Sequence, residues 1–286
     1  MLGYSEPIAW EQTSEGVRIK LPPLHKRPLN TCGKGIWVLR IKGSQETVTE
    51  APQIANASGK NFKNVVFAGS TEVYLQAESS AEIYYTTDGS EPNTNSARYN
   101  GKITLNDSKT IRAIAKRPGK LSSEILVVNG IKARYGITLE TAYADKYGAN
   151  GPLSLVDGQH GSTRFTDGMW LGFEGKDCVA ILDLGESKPV KAAGMSFLRI
   201  IPSWIFLPQS VEIWLSDDGF KYRQTARETL ANATNDDGNE VRAISIDLNK
   251  TARYVKFIAR NQGVCPPWHA GAGAKAWLFV DEVWID

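Results

Sequence analysis

Apolar and polar residues alternate along segment after segment of this 286-residue chain, and no stretch of a dozen residues carries an apolar stripe at i, i+3, i+4 and i+7. A period of two buries one face of a strand, whereas a helix needs a period near 3.6. Val17, Ile19 and Leu21 alternate in this way, as do Val73, Leu75 and Ala77, and later Val211, Ile213 and Leu215. Residues 35–41, Tyr254 to Ile258 and 276–280 are near-continuous apolar runs, the pattern of strands covered on both faces. The chain is therefore expected to be all-β.

Composition shifts divide it. Residues 45–52 are polar and rich in Thr and Glu, and Val128-Asn129-Gly130 closes a second block. The expected organisation is tandem β-sandwiches: 1–47, too short for more than terminal strands; 48–130, a small sandwich; and 131–286, a full domain. Lys and Arg number 33 against 31 Asp and Glu, so a net charge of +2 provides no field for nucleic acid. No apolar run approaches the roughly 20 residues of a membrane span; the stretch from Ile200 to Leu207 is broken by Pro202 and Ser203. Cys32, Cys178 and Cys265 are widely spaced and read as small buried hydrophobes or free thiols, with a disulfide as the alternative.

Catalytic machinery is missing from the pattern. The pairs Asp217-Asp218 and Asp236-Asp237 stand beside glycine in turn-rich sequence, where solvated turn residues are the ordinary identity. His25, His160 and His269 are the only histidines, and no Gly-x-Ser-x-Gly elbow accompanies them. No catalytic residue is expected in this chain.

Three stretches resemble known families. Glu6-Pro7-Ile8-Ala9-Trp10-Glu11-Gln12-Thr13 with Gly16 to Pro22 and residues 35–41 resembles the last strands of bacterial α-L-fucosidases of glycoside hydrolase family 29, which follow a catalytic barrel. Tyr84-Tyr85-Thr86-Thr87-Asp88-Gly89-Ser90-Glu91-Pro92 with Tyr99-Asn100-Gly101 and Thr110 to Ala115 resembles the chitobiase/β-hexosaminidase C-terminal domain. From about Ile131 onward, Ser154-Leu155-Val156-Asp157-Gly158, Val179 to Gly185, Val211 to Gly219, Ala252 to Phe257 and Asp281-Glu282-Val283 are similar to discoidin (factor V/VIII type C) domains and family-32 carbohydrate-binding modules. These resemblances imply a discoidin-like jelly-roll at the C-terminus, an upstream catalytic domain, and a secreted, periplasmic or cell-surface bacterial protein. The function they imply is that of a non-catalytic accessory region of an exo-α-L-fucosidase, binding terminal galactose-, fucose- or N-acetylhexosamine-type glycans. The alternatives are the accessory region of a β-N-acetylhexosaminidase, or a protein-interaction module that binds no sugar.

Two candidate sites follow. A pyranose needs a flat apolar face and a few fixed polar groups. Trp170 and Phe173 in a Gly-rich stretch, Trp204 between two prolines, and Trp268-His269 after Pro266-Pro267 are loop aromatics of that kind. Arg199 and Asn261, near strand ends, are candidate hydroxyl partners, while Trp214, Trp277 and Trp284 lie in strand-like runs and are expected in the core. The discoidin resemblance further implies a structural Ca²⁺ held by Asp157, Thr163 and Glu282, the oxygen-ligand chemistry that this cation takes.

Overall fold

The computed structural model describes residues 8–13, 16–21, 48–55, 64–234 and 238–286. The expected strand at 35–41, His25, Cys32 and Asp236-Asp237 lie outside them. By its contacts the chain divides into two compact units: residues 1–48 with 119–121, and residues 49–118 with 122–286. Among the described residues there is no α-helix, so the all-β expectation holds.

In the first unit β1 (Ala9–Thr13) and β2 (Gly16–Lys20) form an antiparallel hairpin in which Trp10 stands opposite Ile19.

The second unit contains two large hydrophobic cores and two smaller buried clusters. The first gathers short strands: β3 (Gln53–Ile54), β4 (Asn64–Phe67), β5 (Thr71–Val73), β6 (Leu75–Gln76), β7 (Glu82–Thr86), β8 (Ala97–Arg98), β9 (Ile103–Leu105), β10 (Lys109–Lys116) and β11 (Leu126–Lys132). Five of them form a sheet in the order β4-β11-β10-β7-β8, antiparallel except for β4 against β11. Val73, Ile83, Ile103, Leu105, Ile111, Ala113 and Val128 meet in the core, as their alternation requires. The Asp88-Gly89 turn works as its residue types dictate: Asp88 accepts from the Ser90 amide at 3.0 Å and Gly89 takes φ +86°. Strand β11 runs past Gly130 to Lys132, and the Ala133 amide donates to the Phe67 carbonyl at 2.8 Å.

The second core belongs to β12 (Gly136–Leu139), β13 (Leu171–Glu174), β14 (Cys178–Arg199), β15 (Ser210–Ser216), β16 (Arg223–Thr229), β17 (Glu240–Arg260) and β18 (Trp277–Ile285). Two strands are unusually long, β14 with 22 residues and β17 with 21. The ladder between them slips at Asp183/Lys188 and again at Val190/Ala192. Before the slips β14 lies between β12 and the C-terminal half of β17; beyond them it lies between β18 and the N-terminal half. Each long strand thus serves two halves of one seven-stranded sheet, β12-β14-β17-β15-β16 on one side of the slips and β13-β18-β14-β17 on the other. Bulges of this kind bend strands and let one strand turn a corner. Leu182, Val190, Met195, Phe197, Val211, Ile213, Val255, Phe257 and Val280 fill the single core that the two halves share.

Gly194 shows how closely this core is built. A Cβ added there would lie 2.6 Å from the Ile244 carbonyl oxygen and 2.3 Å from the Trp284 ring. The backbone oxygen cannot swing aside, so Gly194→Ala is expected to destabilise the protein by about 1–3 kcal/mol, the usual range for overpacking. Urea unfolding checks this, and an unchanged midpoint would contradict the packing described.

Candidate functional site

Two loops meet at one end of the C-terminal sandwich. The first leaves β14 through a single 3₁₀ turn, Ile201–Ser203, and closes on Trp204. Trp204 takes φ +64°, a left-handed conformation that costs a non-glycine residue about 1–3 kcal/mol and persists only where neighbours fix it. Its amide donates to the Ile201 carbonyl at 2.9 Å, and its own carbonyl accepts from the Trp277 amide at 2.8 Å. The Phe206 amide then donates to the Trp277 carbonyl at 3.0 Å, tying the loop to β18.

The second loop, residues 262–276, is anchored where it leaves β17. Arg260 clasps the buried carboxylate of Glu212 through Nε at 2.9 Å and Nη2 at 3.2 Å, and reaches Asp177 through Nη1 at 2.8 Å. The Arg260 guanidinium, followed by the Trp214 indole, holds the Glu212 carboxyl below its ordinary pKa despite burial. Asp177 also accepts from the Asn261 amide at 2.8 Å.

His269 joins the two loops. One ring nitrogen, Nδ1, accepts from the Gly271 amide at 2.9 Å, so Nε2 carries the proton and donates it to the Ile201 carbonyl at 2.8 Å. Gly271, two residues on, lies against the Trp204 indole so closely that a Cβ would come within 2.7 Å of Cε2. Beneath them Ile201, Phe206, Cys265 and Ala276 form a small buried cluster. The result is a rigid surface bearing two indoles, Trp204 at 40% and Trp268 at 41% exposure. Trp268 is steadied by edge contacts with Phe206, centroids 6.4 Å apart, and His269, 5.8 Å apart.

Of the seven residues expected to contact sugar, only Trp204 and Trp268 present an open face; five need correction. Trp170 and Phe173 are 1% and 0% exposed and belong to the core. Gly161 packs on the Trp170 ring, and its indole N–H donates to the Ser162 carbonyl at 3.2 Å. Asn261 is buried, its amide group spent on the Phe173 carbonyl at 3.0 Å and its oxygen on the Gly263 amide at 2.7 Å. Arg199 is held by Glu240 at 2.9 Å and the Gly238 carbonyl at 3.0 Å. His269, with both ring nitrogens engaged, positions the loops and has no nitrogen left for a ligand. Trp277 is buried as expected, while Trp214 and Trp284 are half-buried. Cys178 and Cys265 are buried free thiols.

The residues expected to hold calcium are only partly brought together. Asp157 and Glu282 are buried near each other, and desolvation, reinforced for Glu282 by the Asp157 charge, raises both carboxyls above their ordinary pKa values. Thr163 is exposed on the loop beyond Gly161. The third carboxylate that turns inward is Asp281, wholly buried, whose Oδ2 accepts from the Gly161 amide at 2.8 Å. Successive strand residues ordinarily face opposite sides, but the ladder slips here: Ser196 pairs with Glu282 and Phe197 with Val280, leaving Asp281 as a bulge residue. Among the described residues no three acidic, His or Cys side chains stand in a ready metal-holding arrangement. Even so, Asp157 Oδ2 and Asp281 Oδ1 are buried oxygens without a hydrogen-bond partner, and such hard, anionic oxygens fit Ca²⁺.

Residues 73–129 match the family described as Fn3 associated. These residues lie within the first core of the second unit. No curated protein sequence matches the chain. Among solved structures, the chain is similar to the CBM32 of AlyQ in complex with 4,5-unsaturated mannuronic acid: identity 17%, TM-score 0.35, covering 53% of this chain and 93% of that one. It is also similar to CpGH89CBM32-5 from Clostridium perfringens in complex with GalNAc-β-1,3-galactose, at 15% identity and TM-score 0.36, over 53% and 94% of the two chains. A Streptococcus pneumoniae fucose binding module is similar at 16% identity and TM-score 0.34, over 52% and 89%.

The positioning role of His269 has a measurable consequence. His269→Ala leaves the Ile201 carbonyl and the Gly271 amide without partners, and is expected to cost about 1–3 kcal/mol. Trp268→Ala, which removes a half-exposed ring, is expected to shift the melting temperature by much less. Equal stability of the two variants would show that the loops are held together in another way.

Proposed function

We propose that residues 131–286 bind glycans through the face formed by Trp204 and Trp268, and that the chain is the non-catalytic accessory region of a secreted bacterial exo-α-L-fucosidase. The observation that carries the first part is the pair of half-exposed indoles on two loops locked by His269. A prearranged aromatic surface stacks on the C–H face of a pyranose without the entropic cost of ordering a loop. The non-catalytic reading is supported by the turn role of Asp218, one of the paired acidic residues, whose carboxylate is spent on the Ser216 hydroxyl and the Phe220 and Lys221 amides. Support for a fucosidase parent comes from the likeness of the first 45 residues. Assay of the parent protein on p-nitrophenyl fucoside against p-nitrophenyl N-acetylglucosaminide tests it.

A shallow face of this kind binds a single sugar at about 0.1–1 mM and gains on a multivalent glycan through effective concentration. On a glycan array, terminal galactose-, fucose- or N-acetylhexosamine-type structures are expected to retain the chain. Trp204→Ala and Trp268→Ala should each remove that signal while the protein stays folded. Retention undiminished in both folded variants would place the site elsewhere.

We further propose that Ca²⁺ binds at Asp157, Glu282 and Asp281, its charge offsetting the desolvation of the first two carboxyls. The ion binds only the folded chain, so saturating Ca²⁺ should raise the melting temperature by several degrees over chelator. Asp281→Asn should abolish the increase and Thr163→Ala should preserve it. No shift in the unmodified protein would remove the ion from the account.

A further inference from the structure

A groove in the C-terminal sandwich lies far from the two tryptophans. Strand β15 starts beside Gln209, next to the first loop, and ends at Ser216, seven residues or roughly 20 Å away at about 3.3 Å per residue. At that far end a cavity of about 790 Å³ is lined by residues 215–218, 221, 223–225 and 250–252. Three local irregularities shape it. Asp218 fixes the turn after β15 by accepting from Ser216 Oγ at 3.0 Å and from the Phe220 and Lys221 amides at 2.8 Å each. Thr225 is a bulge residue on β16, skipped between the pairs Ile213/Ala226 and Trp214/Gln224. Asn249 takes φ +49°, turning β17 just before Lys250. Bulges and left-handed residues re-aim side chains, and here they do so around one concavity.

Its charge is the informative feature. Lys221, Arg223 and Lys250 line the groove, and among the described residues none of them has a carboxylate within ion-pair distance. The two acidic residues of the lining are Asp217, which contacts Ser187 Oγ at 3.4 Å, and Asp218, committed to the turn. Gln224, Thr225 and Thr251 add neutral donors and acceptors between the cations. Asp218 feels the Lys221 charge, so three cations against two carboxylates leave the concave surface net positive, with Arg223 and Lys250 free to attract an anion. The neutral polar groups and Asp217 suit hydroxyls.

We propose that this groove is a second saccharide site, for an oligosaccharide bearing anionic groups. Carboxylate and sulfate share the required chemistry, and the volume accommodates more than one sugar ring. The site stands independently of the Trp204–Trp268 face.

Titration of the full chain with oligogalacturonate and with a sulfated galactan oligosaccharide, against a neutral cello-oligosaccharide, tests the proposal. At least one anionic ligand is expected to bind, with the dissociation constant rising at least tenfold between 50 and 500 mM NaCl. Whichever binds identifies the anion. Arg223→Ala/Lys250→Ala, which changes exposed side chains only, should weaken that binding at least tenfold with an unchanged melting temperature. Trp268→Ala should leave it intact, so loss of the neutral-glycan face and loss of this groove are read separately. No binding of either anionic ligand, or binding that the double substitution leaves unchanged, would overturn the proposal.

Discussion

The C-terminal sandwich depends on the pairing of β14 with β17. A flat ladder of some twenty residues would leave one large hydrophobic face uncovered, because a sheet buries its apolar side only against another layer. The slips at Asp183/Lys188 and Val190/Ala192 bend the ribbon so that its two halves take different neighbours around one core. The same two strands then end where function is expected. Arg199, the last residue of β14, leads into the Trp204 loop, and Arg260, the last of β17, leads into the Trp268 loop. A single pairing therefore sets both the core and the spacing of the loops.

What the loops add is rigidity. Sugar rings present little apolar area, so a face that must order itself on binding would lose most of what stacking contributes. His269 avoids this by giving both ring nitrogens to backbone groups, one on each loop, while Gly271 lets the chain lie directly beneath the Trp204 ring. Side chains that look like ligand contacts in the sequence are here the supports of those that remain exposed.

Most of the fold was legible because strand alternation depends on residues two apart. Val211, Ile213 and Leu215 predict an inward face without knowledge of their partners, and the first two are fully buried. The site was legible only in part, since the exposure of a loop aromatic depends on what packs over it. Trp170 and Trp268 both neighbour glycines, yet Gly161 sits on the first and closes it, whereas the second stays open. Asp281 was hidden for a related reason. Period-two reasoning assigns adjacent residues to opposite faces, so only a register slip, a property of the paired strand rather than of β18 itself, brings Asp281 and Glu282 to the same buried corner.

The account's central claim is that Trp204 and Trp268 form the glycan-contacting face and that the buried Trp170 and Trp277 do not. Titration of an ¹⁵N-indole-labelled sample with a bound glycan, followed by the indole N–H resonances, tests this most directly. The account predicts that the Trp204 and Trp268 signals move together with one dissociation constant while those of Trp170, Trp277 and Trp284 stay in place. Movement of the core indoles with Trp204 and Trp268 unchanged would contradict it.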